Sequence, residues 1–290
     1  MQCRKPVVAG QFYPEDREDC LSEIAACIKE GAFGGELPKD IAAGIVPHAG
    51  WFFSGAAAAA VFSAIKKQNS KVDTFVIFGA AHSYEDSRPV IYDKGCWESP
   101  LGKILIDEQL AGAFLETGLA DADCPSHYSE HSIEVQVPFI QHLFADAKLV
   151  AIIVPPAKEA VRFGEAVGEI IGSQKKKIVC IGSTDLTHYG PRYGFTPAGI
   201  GARAIEWAHN VNDKQFIDLA VALEPAKLLA NAVQNSNACG PGAAAAAIAA
   251  AKKLGRKKGL LLTHTNSSEI MLRKMNQTSR ESVGYAAIVF

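Results

Sequence analysis

Short apolar runs alternate along this chain with longer segments of helical periodicity. Residues 41–46, 74–78, 148–154 and 178–181 are apolar stretches bounded by Pro, Gly or charged residues, and they are too short for buried helices. Between and around them, Cys20, Leu21, Ile24, Cys27 and Ile28 recur at helical spacing, and alanine-rich or amphipathic segments at 56–65, 107–118, 159–171, 202–211, 215–223 and 226–235 read as helices. Pro241 suits a first helical turn and opens a further helix through the alanines at 243–247. Strands come next at 259–263 and 283–290, while residues 7–14 read as an extended arm. Alternation of this kind predicts an α/β fold: one domain over 1–290, with a mainly parallel central sheet flanked by helices. Three local expectations go with it. Pro47 ends the first strand, Ser54 caps the helix after it, and a helix beginning at Ser129 or Glu130 is broken or kinked at Pro138.

The segments just beyond the strand ends carry the chemistry. The first run ends in Pro47-His48-Ala49-Gly50, the second in Gly79-Ala80-Ala81-His82, and the run at 178–181 leads into Ser183-Thr184-Asp185-Leu186-Thr187-His188. Parallel strands share a carboxyl edge, and ligands of open α/β sheets bind in the crevice there. Trp51, Phe52 and Phe53 either line that crevice or pack the adjoining helix. A weaker instance of the pattern ends in His264. Cys239 precedes the helix opened by Pro241, and a helix N-terminus favours thiolate. Two imidazoles and a thiolate, His48, His82 and Cys239, make a three-ligand set that leaves coordination positions open. Such a set suits iron(II), copper or zinc. Asp185 stands three residues before His188, so its carboxylate is expected to orient that imidazole as a general base, and Glu130-His131 offers a second acid–base pair. A metal-independent cysteine hydrolase built on Cys239 and His188 is the alternative chemistry. GxGxxG, GxxxxGKS, GxSxG, CxxC and HExxH are all absent.

Composition narrows the partners. With 290 residues, 48% of them hydrophobic, the chain is large enough for a sizeable core, and a net charge of -2 gives no electrostatic case for nucleic acid or an anionic membrane. The first residues lack the apolar run of a signal peptide. Seven cysteines without paired spacing argue against a disulfide framework, so the expectation is a cytoplasmic, reduced protein.

Taken in order, Pro47-His48-Ala49-Gly50, Gly79-Ala80-Ala81-His82, Glu130-His131-Ser132-Ile133-Glu134, Ser183 to Gly190 and Cys239-Gly240 resemble the Memo family, whose bacterial and archaeal members are called AmmeMemoRadiSam system protein B. The resemblance runs from Ala9-Gly10-Gln11-Phe12-Tyr13-Pro14 to the last strand. It implies a fold similar to the class III extradiol dioxygenases, with a cysteine in place of their metal-binding glutamate. It also implies iron or copper at His48, His82 and Cys239, with Asp185 and His188 beside them. This chain has Ser83 where many members carry a histidine or another polar residue after the second ligand. The residues and the resemblance together leave three readings. The first is a metal-dependent, dioxygenase-like oxidoreductase acting on a small molecule. The second is a binding module for a peptide or a partner, such as the radical-SAM protein after which the prokaryotic members are named. The cysteine hydrolase is the third.

Overall fold

The computed structural model describes residues 2–290. In chain order the elements are β1 (Cys3–Arg4), α1 (Arg17–Glu30), β2 (Ala43–Val46), α2 (Trp51–Gln68), β3 (Thr74–Gly79), β4 (Val90–Tyr92), β5 (Cys96–Ser99), β6 (Gly102–Leu105), α3 (Glu108–Leu115), β7 (Asp121–Ala122) and α4 (Val137–Leu143). They continue with β8 (Lys148–Ile153), α5 (Glu159–Gly172), β9 (Ile178–Ser183), β10 (His188–Tyr189), α6 (Ala202–Trp207), α7 (Lys214–Val221), α8 (Pro225–Asn235), α9 (Pro241–Lys253), β11 (Leu260–Asn266), α10 (Ser267–Met275) and β12 (Ser282–Val289).

The apolar runs form the middle of one nine-stranded sheet, in the order β10-β12-β2-β9-β3-β8-β4-β7 with β11 paired to β12. β2, β9, β3 and β8 are mutually parallel, so the predicted parallel character holds at the centre, whereas β12 against β2 and β4 against β8 run antiparallel. A parallel strand buried on both faces reads as a continuous apolar run, which is why the centre was legible. β11 and β12 on one flank were also expected, at 259–263 and 283–290, whereas the two-residue β7 and β10 were not. β2 and β3 are not neighbours, because β9 lies between them. α2 packs on β2 and β12 with α1, α4 and α10 around it, and α9 packs on β9, β2 and β3 beside α5 and α8. A second sheet, β1-β5-β6, was not anticipated.

Local expectations fail where tertiary contacts outrank local preference. α2 begins at Trp51, not after Ser54: the Trp51 N–H donates to Phe12 O, and the Ser54 hydroxyl donates to Ala49 O from inside the first turn. No helix starts at Ser129 or Glu130. The chain makes two separate 3-10 turns, Pro125–His127 and Glu134–Gln136, and Pro138 falls in the first turn of α4, where it breaks nothing. α6 runs through a π-helical turn, Ala208–Asp213, directly into α7, where two helices were expected. α10 was missed, although Asn266 caps it by accepting from the Glu269 N–H. The cysteines are not all reduced: Cys3 and Cys96 face each other in the β1–β5 pairing and form a disulfide, while the other five are free. Two residues brought together by strand pairing across such a separation leave no spacing signature.

α5 and α9 approach through small residues, and the closest passage is at Gly164, where a Cβ would lie 2.3 Å from Ala246 O. Gly→Ala within a helix ordinarily gains about 1 kcal/mol from propensity. Here a methyl against backbone forces the helices apart at a cost of about 1–3 kcal/mol. Gly164→Ala is therefore expected to lower the midpoint of thermal unfolding, and an unchanged or higher midpoint would show that the α5–α9 contact yields.

Among the described residues, no helix is long and apolar enough to cross a membrane.

Candidate metal centre

Because the central strands are parallel, β2, β3 and β9 deliver the segments after them to one edge of the sheet. His48 comes just after β2, His82 just after β3, and Asp185 with His188 just after β9. Cys239 reaches the same edge from the turn before α9, held by its own N–H donating to Asp185 O. The structure brings His48, His82 and Cys239 together so that one donor atom from each lies within 4.8 Å of the others. Asp185, His188 and Cys239 satisfy the same condition, as do His82, Glu130 and His131.

The hydrogen bonds behind the rings decide which nitrogens face inward. Ser183 Oγ donates to Ser132 O at 2.7 Å, so it receives the bond from His48 Nδ1 at 3.1 Å. That assigns the proton of His48 to Nδ1 and leaves the Nε2 lone pair facing Cys239 Sγ at 3.1 Å. In the same way His82 Nδ1 lies 3.0 and 3.1 Å from the two oxygens of Glu130, leaving its Nε2 for a ligand. A carboxylate behind a histidine is the arrangement that orients metal-ligating imidazoles. Glu130 is itself fixed by the backbone N–H groups of His82 and Ser132.

Asp185 does not do what its spacing suggested. Its Oδ1 accepts from His48 N–H at 2.7 Å and from Ala49 N–H at 3.3 Å, clamping the strand-end turn that carries His48. Its Oδ2 is 4.0 Å from His188 Nε2, beyond a hydrogen bond. His188 Nε2 is shielded from solvent and has no hydrogen-bond partner. His131 stacks on His82, with ring centroids 4.6 Å apart at 9°, and meets Phe12 edge-on.

Burial sets most of the electrostatics. It drives His48 well below the ordinary histidine range, helped by the nearby His82 and His131, and it lowers His131 and His188. For His82 burial also pulls downward, but the hydrogen bond and charge of Glu130 outweigh it and leave that pKa raised. Burial would raise Glu130 as well, yet its bonds to His82 and Ser132 hold it far below the usual carboxylate range. Asp185 is pushed up by burial. Cys239 is pushed up strongly, first by burial and then by the Asp185 charge, which reverses the expectation of a thiolate. The N-terminus of α9 does not overcome the loss of solvent when no cation is nearby.

Two cavities flank the group. One, of about 530 Å³, is lined by His48, His82, His131 and Asp185 together with Phe53 and Tyr285. The other, of about 490 Å³, reaches Cys239 from the side of Pro156 and Ala232. His188 and Tyr193 line both. The aromatic residues after His48 divide: Trp51 packs between Tyr13 and Phe139, Phe52 is exposed, and Phe53 faces the cavity. The site roles of Tyr285, Tyr193 and Ser183 were not foreseen. Only Ser183, at the end of an apolar run, carried a signal that could have been used.

His264 does not join the centre. It lies inside β11, not at its end, and groups with His209 and Asp213.

A family model described as Memo-like protein matches residues 4–289. The chain is 37% identical over 298 residues to a MEMO1 family protein of Thermococcus onnurineus, covering 99% of each chain. It is 37% identical over 301 residues to one of Pyrococcus furiosus, covering 99% of this chain and 98% of the relative. With one of Methanosarcina mazei it shares 34% identity over 294 residues, covering 100% and 99%. A match of this extent, with similarity to full-length relatives, means that the chain belongs to the Memo-like family.

Proposed function

We propose that this protein binds one redox-capable transition metal, iron(II) ahead of copper, through His48 Nε2, His82 and Cys239 Sγ, and acts as a metal-dependent oxidoreductase on a small organic molecule. The observation that carries the reading is the 3.1 Å approach of His48 Nε2 to Cys239 Sγ. Two ligands bound to one ion, at about 2.1 Å for nitrogen and about 2.3 Å for sulfur, stand about 3.1–3.6 Å apart between right-angled and tetrahedral geometry, and the observed approach lies at the short end of that range. The donor set fits as well: two imidazoles held by hydrogen bonds at Nδ1, and one sulfur. Zinc satisfies the same ligands.

When bound, such an ion supplies Lewis-acid and one-electron chemistry at its open positions. The remaining groups belong to the protein. Glu130 and Ser183 hold the two imidazoles in orientation, and Asp185 holds the turn beneath His48. His188 Nε2, poised without a partner, is the group that takes or returns a proton on the substrate side. His131 faces the same cavity and offers a second proton-handling group. A cavity of about 530 Å³ accommodates a small organic molecule or the side chains of a peptide, and Phe53 and Tyr285 give it an apolar wall.

Anaerobic reconstitution with iron(II) tests this. Wild type should take up one equivalent more than His82→Ala, and His188→Ala should keep the wild-type metal content while losing oxygen- or substrate-dependent turnover. Equal metal in wild type and His82→Ala would overturn the site, and loss of metal in His188→Ala would move His188 into the ligand set.

The sulfur–nitrogen contact also favours one second reading, a cysteine hydrolase, with His48 rather than His188 beside the thiol. Burial opposes it by raising the thiol and lowering the imidazole, which keeps the pair neutral instead of thiolate–imidazolium. Hydrolytic turnover that survives exhaustive chelation would select this reading.

A further inference from the structure

The π-helical turn Ala208–Asp213 carries His209 and Asp213 four residues apart on one side, and β11 brings His264 against both. The rings of His209 and His264 stack with centroids 3.8 Å apart at 4°. His264 Nε2 is 3.1 Å from Asp213 Oδ2, and the three residues can present one donor atom each within 4.8 Å of one another. Asp213 is 1% exposed, and among the described residues His264 is the only basic side chain paired with it. Its other oxygen, Oδ1, accepts the Thr187 N–H at 3.0 Å. The lack of a side chain at Gly284 makes room for the carboxylate, since a Cβ there would lie 2.1 Å from Oδ2. His209, alone of the three, lines a cavity of about 510 Å³ together with Glu206 and Glu269. Glu269 Oε1 stands 3.9 Å from His209 Nδ1 at its rim.

We propose that His209, Asp213 and His264 form a second divalent-metal site, suited to zinc or a similar transition ion, separate from the His48–His82–Cys239 centre. Two imidazoles and a carboxylate are a ligand set that such ions take. An ion with ligands at about 2.1 Å holds adjacent ones about 3.0–3.4 Å apart, between right-angled and tetrahedral geometry, and the present 3.1 Å spacing of His264 Nε2 and Asp213 Oδ2 falls in that range. His209 reaches the same ion by a side-chain rotation that unstacks its ring, with Glu269 beside it, 3.9 Å from His209 Nδ1. A hydrogen bond between His264 and Asp213 does not by itself account for the second, parallel imidazole or for the cavity that His209 lines. Asp213 gives the site a consequence: through the Thr187 N–H it fixes the residue next to His188, so a bound ion ties the α6–α7 segment, β11 and the loop after β9 into one unit.

The test is the zinc stoichiometry of the full chain at micromolar free zinc, comparing wild type with His209→Ala and His209→Phe. The phenylalanine keeps the ring stacked on His264 and removes the donor nitrogens, which guards against a variant that merely loosens the fold. Both variants should bind one equivalent fewer than wild type. With cobalt(II), the thiolate-to-metal absorption of the Cys239 centre should persist in both, because only that centre contains sulfur. The comparison is a difference, so it holds whether or not the Cys239 centre binds metal: wild type then takes one equivalent and the variants none. Unchanged stoichiometry in His209→Phe would overturn the second site.

Discussion

Glu134→Ala is expected to be among the most destabilising single substitutions in this chain, lowering the free energy of unfolding by about 3–5 kcal/mol. Glu134 and Arg4 form an ion pair at 2.7 Å with both side chains 1% exposed. Removing one partner leaves the other charge buried and alone, which costs far more than the pair contributes when intact. The loss spreads because Glu134 also accepts from the Val7 and Val8 N–H groups and from the Tyr13 hydroxyl, so one carboxylate holds the whole N-terminal arm. Arg4 in turn donates to His127 O and Glu130 O and lies over Trp97 at 4.2 Å. The arm carries Phe12 to its edge contact with His131 at the centre. Urea unfolding of Glu134→Ala, Arg4→Met and the double variant checks this. The double variant should be less destabilised than the sum of the singles, and strict additivity would show that the two residues act independently.

Cys239→Ser should weaken metal binding by more than about 100-fold, the upper bound for loss of an outer-shell partner, because it removes a ligand outright. Glu130→Gln should fall within the about 10–100-fold range, since His82 stays present but loses the carboxylate that orients it. Direct titration under anaerobic conditions gives the order wild type, Glu130→Gln, Cys239→Ser. An order in which Glu130→Gln is the weaker binder would make Glu130, not Cys239, the ligand. pH adds an independent check. Burial holds the Cys239 thiol above its ordinary pKa, so a metal must displace a proton to bind sulfur. Apparent affinity in wild type should therefore rise with pH across the neutral range, and this slope should flatten in Cys239→Ser, where no thiol proton remains.

The alternation of elements and the identity of the donor residues were determined by the sequence alone. Residues 74–78 and 178–181 had to be central strands because runs of that length, apolar on both faces, are stable only between two layers of helices. Parallel strands then deliver their successor residues to one edge, so His48, His82, Asp185 and His188 could be grouped without coordinates. Tertiary structure decided the rest, because each remaining feature depends on groups far apart in the chain. The strand order set β9 between β2 and β3 and so put Ser183 behind His48. Where a helix from Ser129 or Glu130 was expected, Arg4 bonds Glu134 and the Glu130 carbonyl, and the segment forms turns that place Glu130 against His82. Strand pairing joined Cys3 to Cys96. Desolvation reversed the expected charge of Cys239, because the helix end that favours thiolate is a weak local field and burial of a charge is a larger opposing energy. Asp185 and His188 sit close in sequence, yet the Asp185 carboxylate turns to the unpaired N–H groups after β2, since buried backbone donors must be satisfied wherever a strand ends.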